Sequence, residues 1–166
     1  MKTFKIGGVH PAENKLSAAQ SIKVAELPKV AVFPMGQHIG APAKPIVKKG
    51  DKVKVGQMIA EAGGFVSAPI FSSVSGTVLK VDTVVDASGY AKPAVYVTVE
   101  GDEWVETIDR SETLVTLKDK PELTSKEIIE KIQNAGIVGM GGAYLPCHVK
   151  LMPPPGSKHE LVIINA

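Results

Sequence analysis

Residues 30–100 consist of short apolar runs, rich in valine and isoleucine, that are separated by glycine, proline, serine and aspartate. Runs of this length bounded by turn-forming residues predict β-strands, and no helical period lies between them. The clearest runs are Val30–Phe33, Gln57–Ala60, Thr77–Val81 and Ala94–Val99. About seven short strands without an intervening helix predict a β-sandwich or a small barrel.

The turns of this block carry a more specific pattern. Four turn sequences stand beside the apolar runs: Gly50-Asp51, Gly56-Gln57, Ser67-Ala68-Pro69 and Ser75-Gly76-Thr77-Val78. The segments 44–53 and 68–78 also resemble each other, since each contains Pro-Ile and continues to a glycine and a valine. Together these features resemble the biotinyl- and lipoyl-carrier domains, so the fold expected here is a mostly β barrel-sandwich hybrid.

The resemblance to carrier domains implies a lysine at the exposed hairpin between the two halves, where the acyl or biotinyl group is attached. Here the hairpin reads Glu61-Ala62-Gly63-Gly64-Phe65-Val66, and no lysine lies between Val55 and Leu79. Without an amine there is nothing to acylate. We therefore expect a structural or docking role for the block, because a fold does not carry its function with it.

The chain changes to an α/β pattern at residue 124. Thr124 and Glu127 fit a capping box, in which a hydroxyl and a carboxylate satisfy backbone N–H groups at a helix start. An isoleucine stripe follows, and Gly136 supplies a left-handed stop. Residues 153–156 predict a rigid turn, and residues 160–165 predict a buried strand.

These patterns divide the chain into four expected segments. They are an N-terminal arm over residues 1–29, the barrel-sandwich domain over 30–100, a connector over 101–123 and the start of an α/β domain over 124–166. The last segment holds one helix, a glycine loop and one strand, so we expect it to be a truncated domain.

Three glycines, Gly139, Gly141 and Gly142, follow the helix, and Lys150 lies eight positions after the last of them. Bare backbone N–H groups beside a cation form a common arrangement for binding phosphate. A tight turn that packs the helix on a sheet is the alternative. The run differs from a Walker A motif, which has Lys-Ser/Thr directly after its last glycine, and from a Rossmann fingerprint, which follows a strand.

Composition excludes several classes of function. The formal net charge is +2 with both signs mixed, which argues against a nucleic-acid partner. The single cysteine, Cys147, rules out an internal disulfide framework and an iron–sulfur cluster held by this chain alone. Cys147 adjoins His148 without a nearby orienting acid, so we predict no catalytic residue, and the scattered histidines predict no metal site. No apolar run reaches the length of a membrane span, and we expect a soluble chain.

Taken together, the runs Phe4–Pro11, Gln37–Pro45 and Leu161–Ala166, the barrel-sandwich block and the glycine loop resemble the N-terminal part of RnfC, one of the subunits of the Rnf complex. That complex is a membrane-bound ferredoxin:NAD oxidoreductase. The resemblance implies that the glycine loop opens an α/β flavin-binding domain. The residues implied to contact FMN are Gly139, Gly141, Gly142, Ala143, Lys150 and Asn165.

The resemblance also implies cofactors and partners. FMN and NAD(H) belong to the intact parent, and two [4Fe–4S] clusters belong to a C-terminal part. Its partners are the other subunits of the complex, with ferredoxin reached through them, at the cytoplasmic face of the membrane. From this chain alone we expect weak FMN binding or none, and no oxidoreductase activity. The alternatives are a non-catalytic assembly module and a related flavin-dependent cobalamin reductase subunit of diol metabolism.

Three residues depart from the pattern of that family directly after the glycines. The family has a small residue, then Phe-Pro-Thr, where this chain has Tyr144, Leu145, Pro146 and Cys147. Tyr144 adds bulk where the backbone is expected to lie close to a ligand, and Leu145 removes an aromatic ring from the nicotinamide side. These departures weaken the expectation of NADH contact more than that of FMN contact.

Overall fold

The computed structural model describes residues 12–113, 123–157 and 161. Seven strands and two helices lie within these ranges. The strands are β1 (Val30–Pro34), β2 (Lys44–Pro45), β3 (Lys52–Val53), β4 (Met58–Glu61), β5 (Ile70–Phe71), β6 (Ser75–Val85) and β7 (Ala91–Gly101). The helices are α1 (Ser125–Asn134) and α2 (Cys147–Leu151). All seven of these strands lie between Val30 and Gly101, which agrees with the prediction that this region is built from β-strands.

The strands form two antiparallel sheets. The first has the order β1, β7, β6, β3, and the second has the order β2, β4, β5. The two similar segments occupy related positions, because Pro45 of β2 and Ile70 of β5 both pair with Ala60 of β4, from opposite sides. The core between the sheets includes the fully buried side chains of Met35 and Ile59.

Strand ends are the main difference from the sequence expectation. The hairpin of β6 and β7 continues to the pair Val85–Ala91, well beyond the apolar run that ends at Val81. Alternate residues of β7, Val95 and Val97, are buried, whereas Val85 is exposed. Backbone pairing therefore continues after the strands have left the core, where no apolar period marks it.

Residues 12–29 precede β1 without forming a helix or a strand. Their side chains are exposed, and Leu16, Ile22 and Val24 are each more than nine-tenths accessible. The segment after β7 is more closely held, because Val55 forms a parallel bridge with Trp104.

Helix α1 has the ends that the sequence predicts. The Glu127 N–H donates to Thr124 Oγ1 over 3.3 Å, and the Thr124 N–H donates to Glu127 Oε2 over 2.7 Å, which confirms the capping box. Gly136 has φ 67°, and its N–H donates to Gln133 O while the Ile137 N–H donates to Ile132 O. This pair of bonds is a Schellman motif, the usual left-handed helix stop.

Helix α2 was not predicted, since five residues are too few to show a helical period. The turn predicted at residues 153–156 is present, with the Ser157 N–H donating to Pro154 O. The strand predicted over 160–165 lies outside the described residues, apart from Leu161. Within the described part of the chain, neither helix is long and apolar enough to cross a membrane.

Candidate functional site

The glycine loop connects α1 to α2, and its two ends are paired with each other. Val138 and Pro146 form an antiparallel bridge at its neck. The Gly139 N–H donates to Leu145 O over 2.9 Å, and the Cys147 N–H donates to Ile137 O over the same distance. These contacts fix both ends of the loop, so its tip, residues 140–144, is presented from a rigid base.

Two of the loop glycines are not required by the packing of the residues that the structure describes. Gly141 and Gly142 do not have positive φ values, and a Cβ atom built on either meets nothing within 4 Å. At Gly139 the nearest atom to such a Cβ is Leu145 O at 3.7 Å, an ordinary contact. Neither backbone conformation nor packing within the described residues accounts for these glycines. A backbone that must lie close to a ligand does account for them.

We therefore expect Gly141→Ala and Gly142→Ala to leave the free energy of unfolding unchanged or to raise it by up to about 1 kcal/mol, because alanine restricts the unfolded chain. Urea denaturation of each variant measures this difference. A loss of more than about 1 kcal/mol in either variant would assign the glycines to the fold, against the ligand interpretation.

The backbone N–H groups of the loop are available to a ligand. Counting acceptors within residues 12–113, 123–157 and 161, none of the N–H groups from Met140 to Leu145 donates to the protein. Consecutive N–H groups converge on an anion where the backbone alternates between right- and left-handed conformations, and in this loop Tyr144 has the positive φ. This arrangement supplies the donors that a phosphate group needs.

Five of the six predicted site residues line one cavity of about 410 Å³. They are Gly139, Gly141, Gly142, Ala143 and Lys150, joined there by Leu145 and Cys147. Lys150 lies near the end of α2, is exposed and has no ion-pair partner among the residues that the structure describes. The sixth predicted residue, Asn165, lies outside the described residues.

The cysteine and histidine that follow the loop have separate surroundings. Cys147 is half-buried and lines the cavity, whereas His148 is 1% exposed. The Nε2–H of His148 donates to Phe65 O over 3.3 Å, in the tautomer that this contact requires, and its Nδ1 has no partner among the described atoms. The imidazole is therefore directed to the sandwich domain and not paired with the thiol as a nucleophile.

Phe65 belongs to the hairpin that holds the modified lysine in carrier domains. In this chain the hairpin is packed against neighbours: the Ala41 N–H donates to Val66 O, and a Cβ on Gly63 would lie 2.0 Å from Pro42 O. Helix α2 covers it through the His148 contact. A hairpin held in this way suits a fixed contact and does not suit a mobile arm.

The module of α1, loop and α2 touches the sandwich at a second point. A Cβ on Gly136 would lie 2.6 Å from Pro69 O and 3.0 Å from Phe71 Cε2, so the helix end approaches the start of β5 closely. The loop is thus held against the sandwich from both sides, by Gly136 before it and by His148 after it.

Tyr144 lies apart from the glycine-loop cavity. It is not among the residues that line that cavity, so its bulk does not fill the space over Gly141 and Gly142. It has φ 55°, an uncommon conformation for a residue with a large side chain. Leu145, in contrast, does line the cavity and gives it an apolar wall.

Comparison with known proteins gives a consistent result. The family model of the RnfC barrel sandwich hybrid domain matches residues 2–103. The chain is 44% identical to the C subunit of the proton-translocating ferredoxin:NAD(+) oxidoreductase complex of Clostridium ljungdahlii, over 99% of this chain and 35% of that protein. It is also 44% identical to the C subunit of the Na(+)-translocating complex of Acetobacterium woodii, over 98% of this chain and 36% of that protein.

A third relative is the C subunit of the ion-translocating oxidoreductase complex of Rhodobacter capsulatus, which is 40% identical over 91% of this chain and 29% of its own length. The chain therefore spans about a third of the length of the curated relatives that it matches.

Proposed function

The chain belongs to the RnfC family through its barrel sandwich hybrid domain, and we propose that it supplies the opening part of a flavin site in an RnfC-type subunit. The proposed parent passes electrons between NAD(H) and ferredoxin through FMN and two [4Fe–4S] clusters, and couples this transfer to ion translocation. The observation that carries the flavin proposal is the cavity in which the loop glycines and Lys150 meet.

The residues present fit the phosphate end of FMN. A phosphate group needs several N–H donors and a cation, and the loop and Lys150 offer both at one cavity. Its volume of about 410 Å³ lies within the usual range of small-molecule pockets. Among the described residues no neighbour requires a glycine at position 141 or 142, which supports the same assignment.

Bound FMN supplies the exchange between two-electron hydride transfer and single-electron transfer. The chain's own residues bind and orient. The loop N–H groups and Lys150 offset the phosphate charge, the closed neck at Val138 and Pro146 keeps the donors in place, and Leu145 limits access of water. We propose no acid, base or nucleophile in this chain, and we expect no oxidoreductase activity from it alone.

The clusters of the parent need more thiolates than Cys147 provides, so we assign them to sequence that this chain does not include. We also propose that the parent sits at the cytoplasmic face of the membrane with the other subunits. The exposed arm over 12–29, with Leu16, Ile22 and Val24, favours an assembly contact with one of them. Cross-linking from position 24 within the assembled complex tests that contact. The absence of a cross-link from this position to any other subunit would contradict it.

The cobalamin-reductase role stays a separate prediction for this chain. The names of the relatives favour the Rnf assignment, since each is the C subunit of an oxidoreductase complex. Genes for diol metabolism beside this one would favour the alternative.

FMN titration of this chain tests the proposed site. We expect a Kd weaker than about 10 µM, because we propose that other walls of the site come from the part of the parent that this chain does not span. Lys150→Gln should weaken binding a further five- to tenfold, since about 1 kcal/mol of phosphate attraction is lost. Isothermal titration calorimetry measures both values.

Lys126→Gln is the matched control, because Lys126 is an exposed lysine on α1 that does not line the cavity. It should leave the affinity for FMN unchanged. Equal losses in the two variants would point to net charge alone, and a tight stoichiometric flavin complex would contradict the expectation of an incomplete site.

A further inference from the structure

The junction between the sandwich and the module of α1, loop and α2 has two histidines beside it. His148 of α2 reaches the hairpin of the sandwich through Phe65 O. His38 of the sandwich lines a crevice of about 140 Å³ together with Gly136 and Val138 of the module. Histidine is the side chain whose ordinary charge change falls between about pH 5 and pH 8. The junction therefore contains two groups through which it could respond to pH.

The first of them, His148, is held as a neutral ring. It is 1% exposed, and its Nε2–H donates to Phe65 O over 3.3 Å in the tautomer that this contact requires. The Nδ1 atom is also buried and has no hydrogen-bond partner within the part of the chain that the structure describes. A proton added to Nδ1 would be a donor without an acceptor on a buried charged ring, which is strongly unfavourable.

The charged groups around this ring do not offset that cost. Those on the hairpin, on α2 and on the neighbouring helix α1 are Glu61, Cys147, Lys150, Lys126, Glu127, Glu130 and Lys131. Counting only the described residues, none of them forms an ion pair or a hydrogen bond with the ring. Lys150, two positions along the same helix, is a cation and opposes a second positive charge.

The second histidine, His38, has the surroundings that a charged ring needs. Its Nδ1 lies 3.0 Å from Ile39 O, and its Nε2 lies 3.1 Å from both Ala68 O and Ala68 N. Both nitrogens of a protonated His38 would therefore have a carbonyl acceptor, with the loss of one bond from the Ala68 N–H. The segment that holds it, with Gln37, also lines a cleft beside Tyr144 of the loop. His38 is thus a junction histidine that can take up a proton in place.

We propose that His148 is a pH-sensitive latch, which holds the module on the sandwich while the ring is neutral and releases it when the ring is protonated. In the open state the ring meets water, where histidine takes up a proton near about pH 6.5. The docked state then binds one proton fewer than the open state, so docking weakens as pH falls. The latch is fully effective above about pH 7.5 and loses effect below about pH 6.5. This inference goes beyond the proposed function and needs no bound ligand.

Native-state hydrogen exchange at about pH 7.5 and about pH 5.0 tests the latch, with each rate corrected for the intrinsic exchange rate at that pH. The amides of Gly139 and Cys147 report on the module, and those of β7 report on the sandwich. Uptake of one proton on opening should raise the opening constant of the module about thirtyfold between these pH values. The opening constant of β7 should stay unchanged.

The protonation state of the ring is measured directly in the same samples. A long-range ¹H–¹⁵N spectrum of the imidazoles should show His148 at about pH 7.5 with its proton on Nε2 and a bare Nδ1. At about pH 5.0, doubly protonated His148 should appear only together with loss of protection in the module. A doubly protonated ring in a fully protected module would overturn the inference.

Two variants separate the charge of the ring from its contact. His148→Gln keeps an N–H donor for Phe65 O but cannot be protonated, so the module should stay docked with an opening constant that does not depend on pH. His148→Leu removes the donor as well, and should raise the opening constant about five- to tenfold at both pH values. His38→Gln is the matched control, because it removes the other junction histidine, and it should keep the thirtyfold response.

Three results would contradict the latch. They are an unchanged opening constant of the module at the lower pH, a response that persists in His148→Gln and disappears in His38→Gln, and a parallel loss of protection in β7, which would mean acid unfolding of the whole chain. None of these measurements contains FMN, so their failure leaves the proposed flavin site standing, and failure of the FMN titration leaves the latch standing.

Discussion

Gly40→Ala should lower the free energy of unfolding by about 3 kcal/mol, the sum of a left-handed backbone and an overpacked contact. Gly40 has φ 89°, and a Cβ there would lie 2.1 Å from Val66 O and 2.8 Å from Val66 Cβ. The carbonyl cannot move away without cost, because it accepts the N–H of Ala41 over 3.0 Å. Urea denaturation followed by Trp104 fluorescence measures the loss.

Gly89→Ala is the matched control for this prediction. Gly89 has φ 80°, and a Cβ there meets nothing within 4 Å. The free energy of unfolding of this variant should fall by only about 1 kcal/mol, which is the cost of the left-handed conformation alone. Equal losses in the two variants would mean that the contact between Gly40 and Val66 contributes nothing to stability.

Gly136→Ala should release the helix and loop module from the sandwich while the sandwich itself stays folded. The new Cβ would lie 2.6 Å from Pro69 O and 3.0 Å from Phe71, at a residue with φ 67°. We expect the free energy of undocking the module to fall by about 2–3 kcal/mol, because the backbone strain and the clash both destabilise the docked state. Native-state hydrogen exchange reports such local opening.

In that experiment the amides of Gly139 and Cys147 should lose protection, whereas those of β7 should keep theirs. Gly156→Ala is the control, since Gly156 has φ 80° and a Cβ there has no neighbour within 4 Å. Uniform loss of protection across the chain would show that the module and the sandwich unfold as one unit.

The parts of the fold that sequence reasoning predicted are those fixed by local chemistry. Turn glycines such as Gly50 and Gly56 have positive φ, and the capping box at Thr124 forms as its residue types indicate. The ends of β6 and β7 were not predictable from hydropathy, because pairing continues outside the core. Helix α2 was too short to show a period.

The candidate site also combines residues that the sequence identifies with contacts that it does not reveal. Its glycines and Lys150 could be identified from their spacing, and the structure brings them to one cavity. The approach of the Gln37 segment to Tyr144 could not, because it joins residues about a hundred positions apart and leaves no periodic trace. The hydrogen bond between His148 and the lysine-free hairpin was not predictable either, because it joins residues 83 positions apart and its acceptor is a backbone carbonyl.

That last contact has a consequence for how the two parts of the chain can vary. His148 donates to Phe65 O, so at that point a side chain faces a main-chain oxygen, whereas Gly136 approaches both Pro69 O and the ring of Phe71. Every residue type carries that oxygen. The contact at His148 is therefore specified from one side only, and paired substitutions of residues 65 and 148 should show little covariation even though the two residues touch.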